Sequence, residues 1–184
     1  MPFSNLGPQC HAWLTKRAEA VKDATPVEVH TIMFRTSGIL LAAEPPAISE
    51  RLEEWTRLSR RWIYIFDTAA THAERKALAK SFSEAKAAKT AKFRYAKMND
   101  GLAESSVLYV GSSETLRPRI RNHLGYAVGP SSLNMGHWVN MPDIEVRLRA
   151  ARYPDSLPKE ALLDLEDCLS VSMSPIFGKR GPAQ

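Results

Sequence analysis

Cysteine is almost absent. Cys10 and Cys168 are the only two in 184 residues, and they stand in no CxxC or zinc-type spacing. That excludes a disulfide scaffold and a structural zinc cage, and reduced thiols in or near the core are expected. Long apolar runs are missing too, which excludes a helical membrane span. The segment Met1-Pro-Phe-Ser-Asn-Leu-Gly7 has no charged stretch followed by an apolar one. No secretory signal is therefore expected, and a cytoplasmic location is the default. No repeat or low-complexity tract is present beyond an Ala/Lys-rich middle. What remains is ordinary for a globular chain: 44% hydrophobic and 24% charged residues, enough for one domain over 1–184 with a sizeable core. The net charge of +5 permits a polyanionic partner without establishing one.

Pattern divides the chain into elements. Residues 10–23 read as a short helix with Trp13, Leu14 and Val21 as apolar contacts. Val27–Met33 is rich in β-branched residues and predicts a strand. Ser37–Leu41 could extend a hairpin or form a buried loop. After Pro45-Pro46, the spacing of Ile48, Leu52, Trp55 and Leu58 predicts a helix over about 47–60. Trp62–Phe66 reads as a strand. Thr71 and Glu74 have capping-box form and open a helix expected to run to about Lys97, with Leu78, Phe82, Ala85 and Ala88 inward. Between His72 and Lys97 there are eight Lys/Arg against two acids.

Val107–Val110 predicts a further strand, turning at Gly111 into a helix capped near Thr115. Pro118 is tolerated in its first turn, and Leu116, Ile120 and Leu124 face the core. Arg119 and His123, four residues apart, share one face of this helix. At the edge of its apolar stripe, each could be held by packing and still reach solvent. A planar cation beside an imidazole, close to a tyrosine at a strand end, suits phosphate chemistry. Residues 125–142 read as loop, 144–148 as a strand and 158–171 as a helix carrying Glu166. His137 lies in that loop; His11, His30 and His72 show no ligand spacing.

These motifs together resemble the GIY-YIG nuclease family. Its first strand motif is matched by Trp62-Ile63-Tyr64 and its second by Tyr109-Val110-Gly111. The family arginine, ten residues beyond the second tyrosine, falls on Arg119, and the His/Tyr/Lys position four further on falls on His123. The family glutamate, with a proline nine residues later, falls on Glu166 and Pro175. The resemblance implies an α/β fold of the α+β type, with a small, mostly antiparallel three-stranded sheet flanked by helices. That core would span 62–178, with a basic helical insertion at 71–97 and an N-terminal extension, 1–60, packed on it.

The resemblance also implies a metal-dependent DNA endonuclease. Glu166 would hold a single Mg²⁺ or Mn²⁺. Arg119 would clamp the phosphate, and His123 would assist. Tyr64 would stand on the base side, and Tyr109 would hydrogen-bond the phosphate. Lys86, Lys89, Lys92, Arg94 and Arg121 are candidate DNA contacts. One such site cuts one strand, so double-strand cleavage calls for a homodimer or sequential nicks. Three departures stand out: Trp62 replaces the first family glycine, the tyrosines are far apart, and Gly178 stands where the family has asparagine. The last leaves open a nucleic-acid-binding module with little or no catalysis.

Overall fold

A computed structural model describes residues 6–39, 44–56, 60–88, 93–99, 104–138 and 140–179. The fold is α+β. Four strands form one antiparallel sheet in the order β1-β4-β2-β3. They are β1 (Glu28–Arg35), β2 (Trp62–Asp67), β3 (Val107–Ser113) and β4 (Glu145–Arg152). The expected three-stranded sheet therefore gains a strand. β1 pairs with β4 along its whole length, from Glu28 opposite Arg152 to Arg35 opposite Glu145. Its alternation is the reason: Ile32 and Phe34 pack on the core while Val29 and Met33 face solvent.

β2 is apolar from Trp62 to Phe66 because both of its faces are covered. Trp62, Tyr64 and Phe66 join Val146, Leu148 and Ala150 in the main core. Helices α3 (Pro46–Trp55), α4 (His72–Ala87) and α5 (Leu116–Leu124) add Leu52, Phe82 and Ile120 to it. On the other face, Ile63 meets Ala161 and Leu162 of α6 (Lys159–Met173). The Thr71 capping box forms, with the Glu74 N–H donating to Thr71 Oγ1 and the Thr71 N–H donating back to Glu74. Such caps contribute about 1 kcal/mol.

Several elements differ from the sequence reading. α1 (Leu6–Lys22) is longer than expected, and Trp13 and Leu14 are more than half exposed. It docks on α6 through the Arg17–Asp164 ion pair and Val21 instead. Thr36–Ile39 is a single helical turn, α2; Leu40 and Leu41 lie outside the described residues. The basic helix stops at Ala87 instead of about 97. Residues 93–99 are extended, bridging Tyr95 to Ser132 and Met98 to Phe177, and these tertiary backbone bonds outweigh the helix propensity of alanine and lysine. β3 runs on to Ser113, so Gly111 lies inside a strand and not at a turn. The loop after α5 is packed, with Leu133, Met135 and Trp138 fully buried. Both cysteines are free and exposed, not in the core. Among the described residues, no helix is long and apolar enough to cross a membrane.

Candidate active site

Sheet register builds the site. Tyr64 on β2 stands opposite Gly111 on β3, and Phe66 opposite Tyr109. Paired residues share a face, and so do residues two apart along a strand. Tyr64 and Tyr109 therefore rise from one face and stack, with ring centroids 6.1 Å apart and planes within 11°. Gly111 makes room for them. A Cβ there would come within 2.6 Å of Tyr64 Cζ and 2.8 Å of Tyr109 Cε1.

α5 crosses this face, pinned by Leu116, Ile120 and Leu124. It brings Arg119 and His123 to the same phenol. Arg119 Nε donates to Tyr64 Oη at 3.0 Å, and His123 Nε2 lies 3.0 Å from that oxygen. Arg119 Nη2 also donates to Tyr109 Oη, at 3.0 Å. Gly125, at φ +95°, ends the helix and turns the chain back. The returning loop presents the Ser131 and Pro130 carbonyls to Arg119, at 2.8 and 3.4 Å. Its Leu133 N–H donates to His123 Nδ1 at 3.2 Å.

Those contacts settle the state of the imidazole. Nδ1 accepts, so the proton sits on Nε2 and donates to Tyr64. Burial, aided by the Arg119 charge, pushes the His123 pKa well below its usual value, so the ring is neutral. It is 0% exposed and does not reach the solvent as expected. Tyr64 is nearly as buried. Desolvation, aided by Tyr109, lifts its pKa well above the usual phenol value, against the charge and hydrogen bond of Arg119. Tyr109, slightly more open, is raised for the same reason.

Arg119 has five N–H donors. One Nε, two Nη2 and one Nη1 hydrogen find partners, and every partner is neutral. Among the described residues no carboxylate pairs with it. One Nη1 hydrogen is left for a ligand.

Glu166 arrives from the other side of the sheet. It sits on α6 and accepts a hydrogen bond from Ser112 Oγ, whose register partner is Ile63. Its charge nonetheless reaches both phenols, opposing their ionisation. Desolvation raises the Glu166 pKa; Ser112 and, more weakly, Lys179 oppose the rise. The two halves meet at the outer edge of β3. Ile176 and Phe177 bond to that edge at Val107 and Leu108. The chain then leaves it at Gly178, where φ is +102°.

Gly178, in the place of the expected asparagine, packs on the Tyr109 ring. A Cβ there would lie 2.8 Å from Tyr109 Cε2. Of the candidate DNA contacts, Lys86 donates to the Ala96 carbonyl at 3.1 Å, and Arg121 pairs with Glu44 at 3.0 Å. Arg94 is exposed, while Lys89 and Lys92 lie outside the described residues. His137 bonds to the Gly125 carbonyl at 2.9 Å. Sequence reasoning missed Ser112 and the loop 130–133. A serine in a strand carries no local signal, and the loop acts through backbone groups.

Comparisons with protein-family models, curated proteins and solved structures return no match for this chain.

Proposed function

We propose that this chain is a GIY-YIG-type, metal-dependent endonuclease that hydrolyses phosphodiester bonds in DNA, most naturally duplex DNA. The observation that carries the reading is Arg119, a half-buried guanidinium held wholly by neutral groups. A charge taken out of water without a counter-ion is costly. A phosphate supplies the missing anion and meets the remaining Nη1 hydrogen.

Glu166 suits a hard cation. It is a partly desolvated carboxylate with no Lys or Arg in ion-pair contact among the described residues. No group of three or more His, Cys, Asp or Glu converges there among those residues, and Mg²⁺ commonly takes one or two carboxylates with waters and phosphate oxygens. Mg²⁺ or Mn²⁺ held by Glu166 would polarise the scissile phosphate and stabilise the leaving oxygen.

In hydrolysis the oxygen of water joins phosphorus as the ester P–O bond breaks. One proton leaves to solvent and one ends on the departing hydroxyl. Arg119 stabilises the charge that builds on the phosphate, and Tyr109 hydrogen-bonds a phosphate oxygen. Burial of Tyr64 supports a positioning role for it, in place of the base-side role expected. His123 has its Nδ1 lone pair engaged by Leu133, so it holds Tyr64 and takes no proton from water. Cleavage of both strands brings in a second copy or a second nick.

The test is supercoiled plasmid with wild type and Glu166→Gln, in Mg²⁺, Mn²⁺ or EDTA. Metal-dependent nicking by wild type alone is expected. Intact DNA binding with no cleavage by wild type would favour the binding-module reading instead.

A further inference from the structure

Several surface cations among the described residues are already spent on carboxylates. Arg117 lies 3.4 Å from Glu53 and Arg121 3.0 Å from Glu44, while Arg147 and Arg149 both grip Asp67. Lys80, on the basic helix α4, is 3.9 Å from Glu84. Three exposed cations at the site are different. Arg94, Lys97 and Lys179 have no carboxylate in ion-pair contact among the described residues.

Backbone hydrogen bonds fix where these three stand. The Ser132 N–H donates to the Arg94 carbonyl at 2.9 Å, one residue from the carbonyl that holds Arg119. The Gly178 N–H donates to the Lys97 carbonyl at 2.8 Å, and Gly178 lies on the Tyr109 ring. Lys179 follows, and its charge acts on Glu166. Loop 131–132 thus links Arg94 to Arg119, and Gly178 links Lys97 to Tyr109.

We infer that Arg94, Lys97 and Lys179 form the phosphate track along which a nucleic-acid backbone lies as it enters the site. The surface used is thus the extended segment 93–99 with Lys179, not helix α4. This rests on the nuclease reading above and names the surface that presents its substrate. Unpaired cations beside an uncompensated arginine leave a positive rim, and a polyanion releases counterions on meeting it.

The experiment is anisotropy of a labelled duplex in EDTA, from about 50 to 200 mM salt, at which phosphate contacts set the slope. Wild type is compared with Arg94→Gln/Lys97→Gln/Lys179→Gln. A second triple variant, Lys16→Gln/Lys22→Gln/Lys76→Gln, removes exposed cations on α1 and α4. The track variant should flatten the slope of log affinity on log salt by roughly 2 to 3, at about 0.9 per lost contact. The second variant should leave it unchanged. Each single track variant should remove about one unit of slope, and circular dichroism should show the fold intact. A track variant that keeps the wild-type slope overturns the inference alone. Wild type that neither binds duplex at low salt nor cleaves plasmid overturns the nuclease reading, and the track with it.

Discussion

The Tyr64 phenol occupies the space that a side chain on Gly111 would need. The two residues are register partners on β2 and β3, and a Cβ on Gly111 would lie 2.6 Å from Tyr64 Cζ. The site's geometry therefore depends on a missing methyl group. Gly111→Ala must push both tyrosines off Arg119. Overpacking of this kind costs about 1–3 kcal/mol, so a lower denaturation midpoint and loss of cleavage are expected. Adding Tyr64→Phe should recover little stability, because Cζ remains. Wild-type stability in Gly111→Ala would contradict this packing.

Gly178→Asn should not create or improve activity. The position needs φ +102° and has the Tyr109 ring against it. The substitution should destabilise the fold by a few kcal/mol at most and lower cleavage by displacing Tyr109. Cleavage rising above wild type would show that an amide belongs there.

His123 should make the protein acid-sensitive. Its folded pKa is depressed by burial, so the unfolded chain binds the extra proton first. Stability is full above the unfolded value of about 6.5 and declines as pH falls below it, by up to about 1.4 kcal/mol per pH unit. Urea midpoints from pH 8 to 5 should show this loss in wild type and a shallower one in His123→Gln. Parallel curves would remove the imidazole from the explanation.

Glu166 should cost stability where it is ionised. Its folded pKa lies above the ordinary carboxylate value of 4.5. The folded state holds that proton more tightly, so stability falls as pH rises through this window and the penalty persists above it. Glu166→Gln should melt above wild type at pH 8 and level with it near pH 4. Mn²⁺ should raise the melting temperature of wild type only. A destabilised Glu166→Gln at pH 8 would argue that the carboxylate is a structural partner.

Ser112→Ala should weaken metal binding without unfolding the chain. The hydroxyl is the group that ties Glu166 to β3. Losing such a supporting contact costs roughly 10–100-fold in metal affinity. Mn²⁺ titration followed by electron paramagnetic resonance would read this directly, and excess Mn²⁺ should restore most of the cleavage rate. Unchanged Mn²⁺ affinity would make Ser112 incidental.

The sequence by itself determined the pieces whose cause is local. β-branched and aromatic runs made the strands, the Thr71–Glu74 pair made a helix start, and four-residue spacing set Arg119 beside His123. Both of those side chains do converge on the Tyr64 hydroxyl. Tertiary structure decided the rest, because each remaining feature depends on groups far apart in the chain. β1 became a fourth strand through its pairing with β4. Residues 93–99 left the helical state because Ser132, Ile176 and Gly178 offered backbone bonds, which takes Arg94 and Lys97 off the expected helix. The burial of His123 and the neutral cradle around Arg119 come from the loop returning after Gly125. Gly111 and Gly178 read in sequence as a turn and a missing asparagine; the folded chain uses both to make room for tyrosine rings. A residue's spacing fixes its face on an element, while burial and hydrogen-bond partners are set by whatever the fold packs against that face.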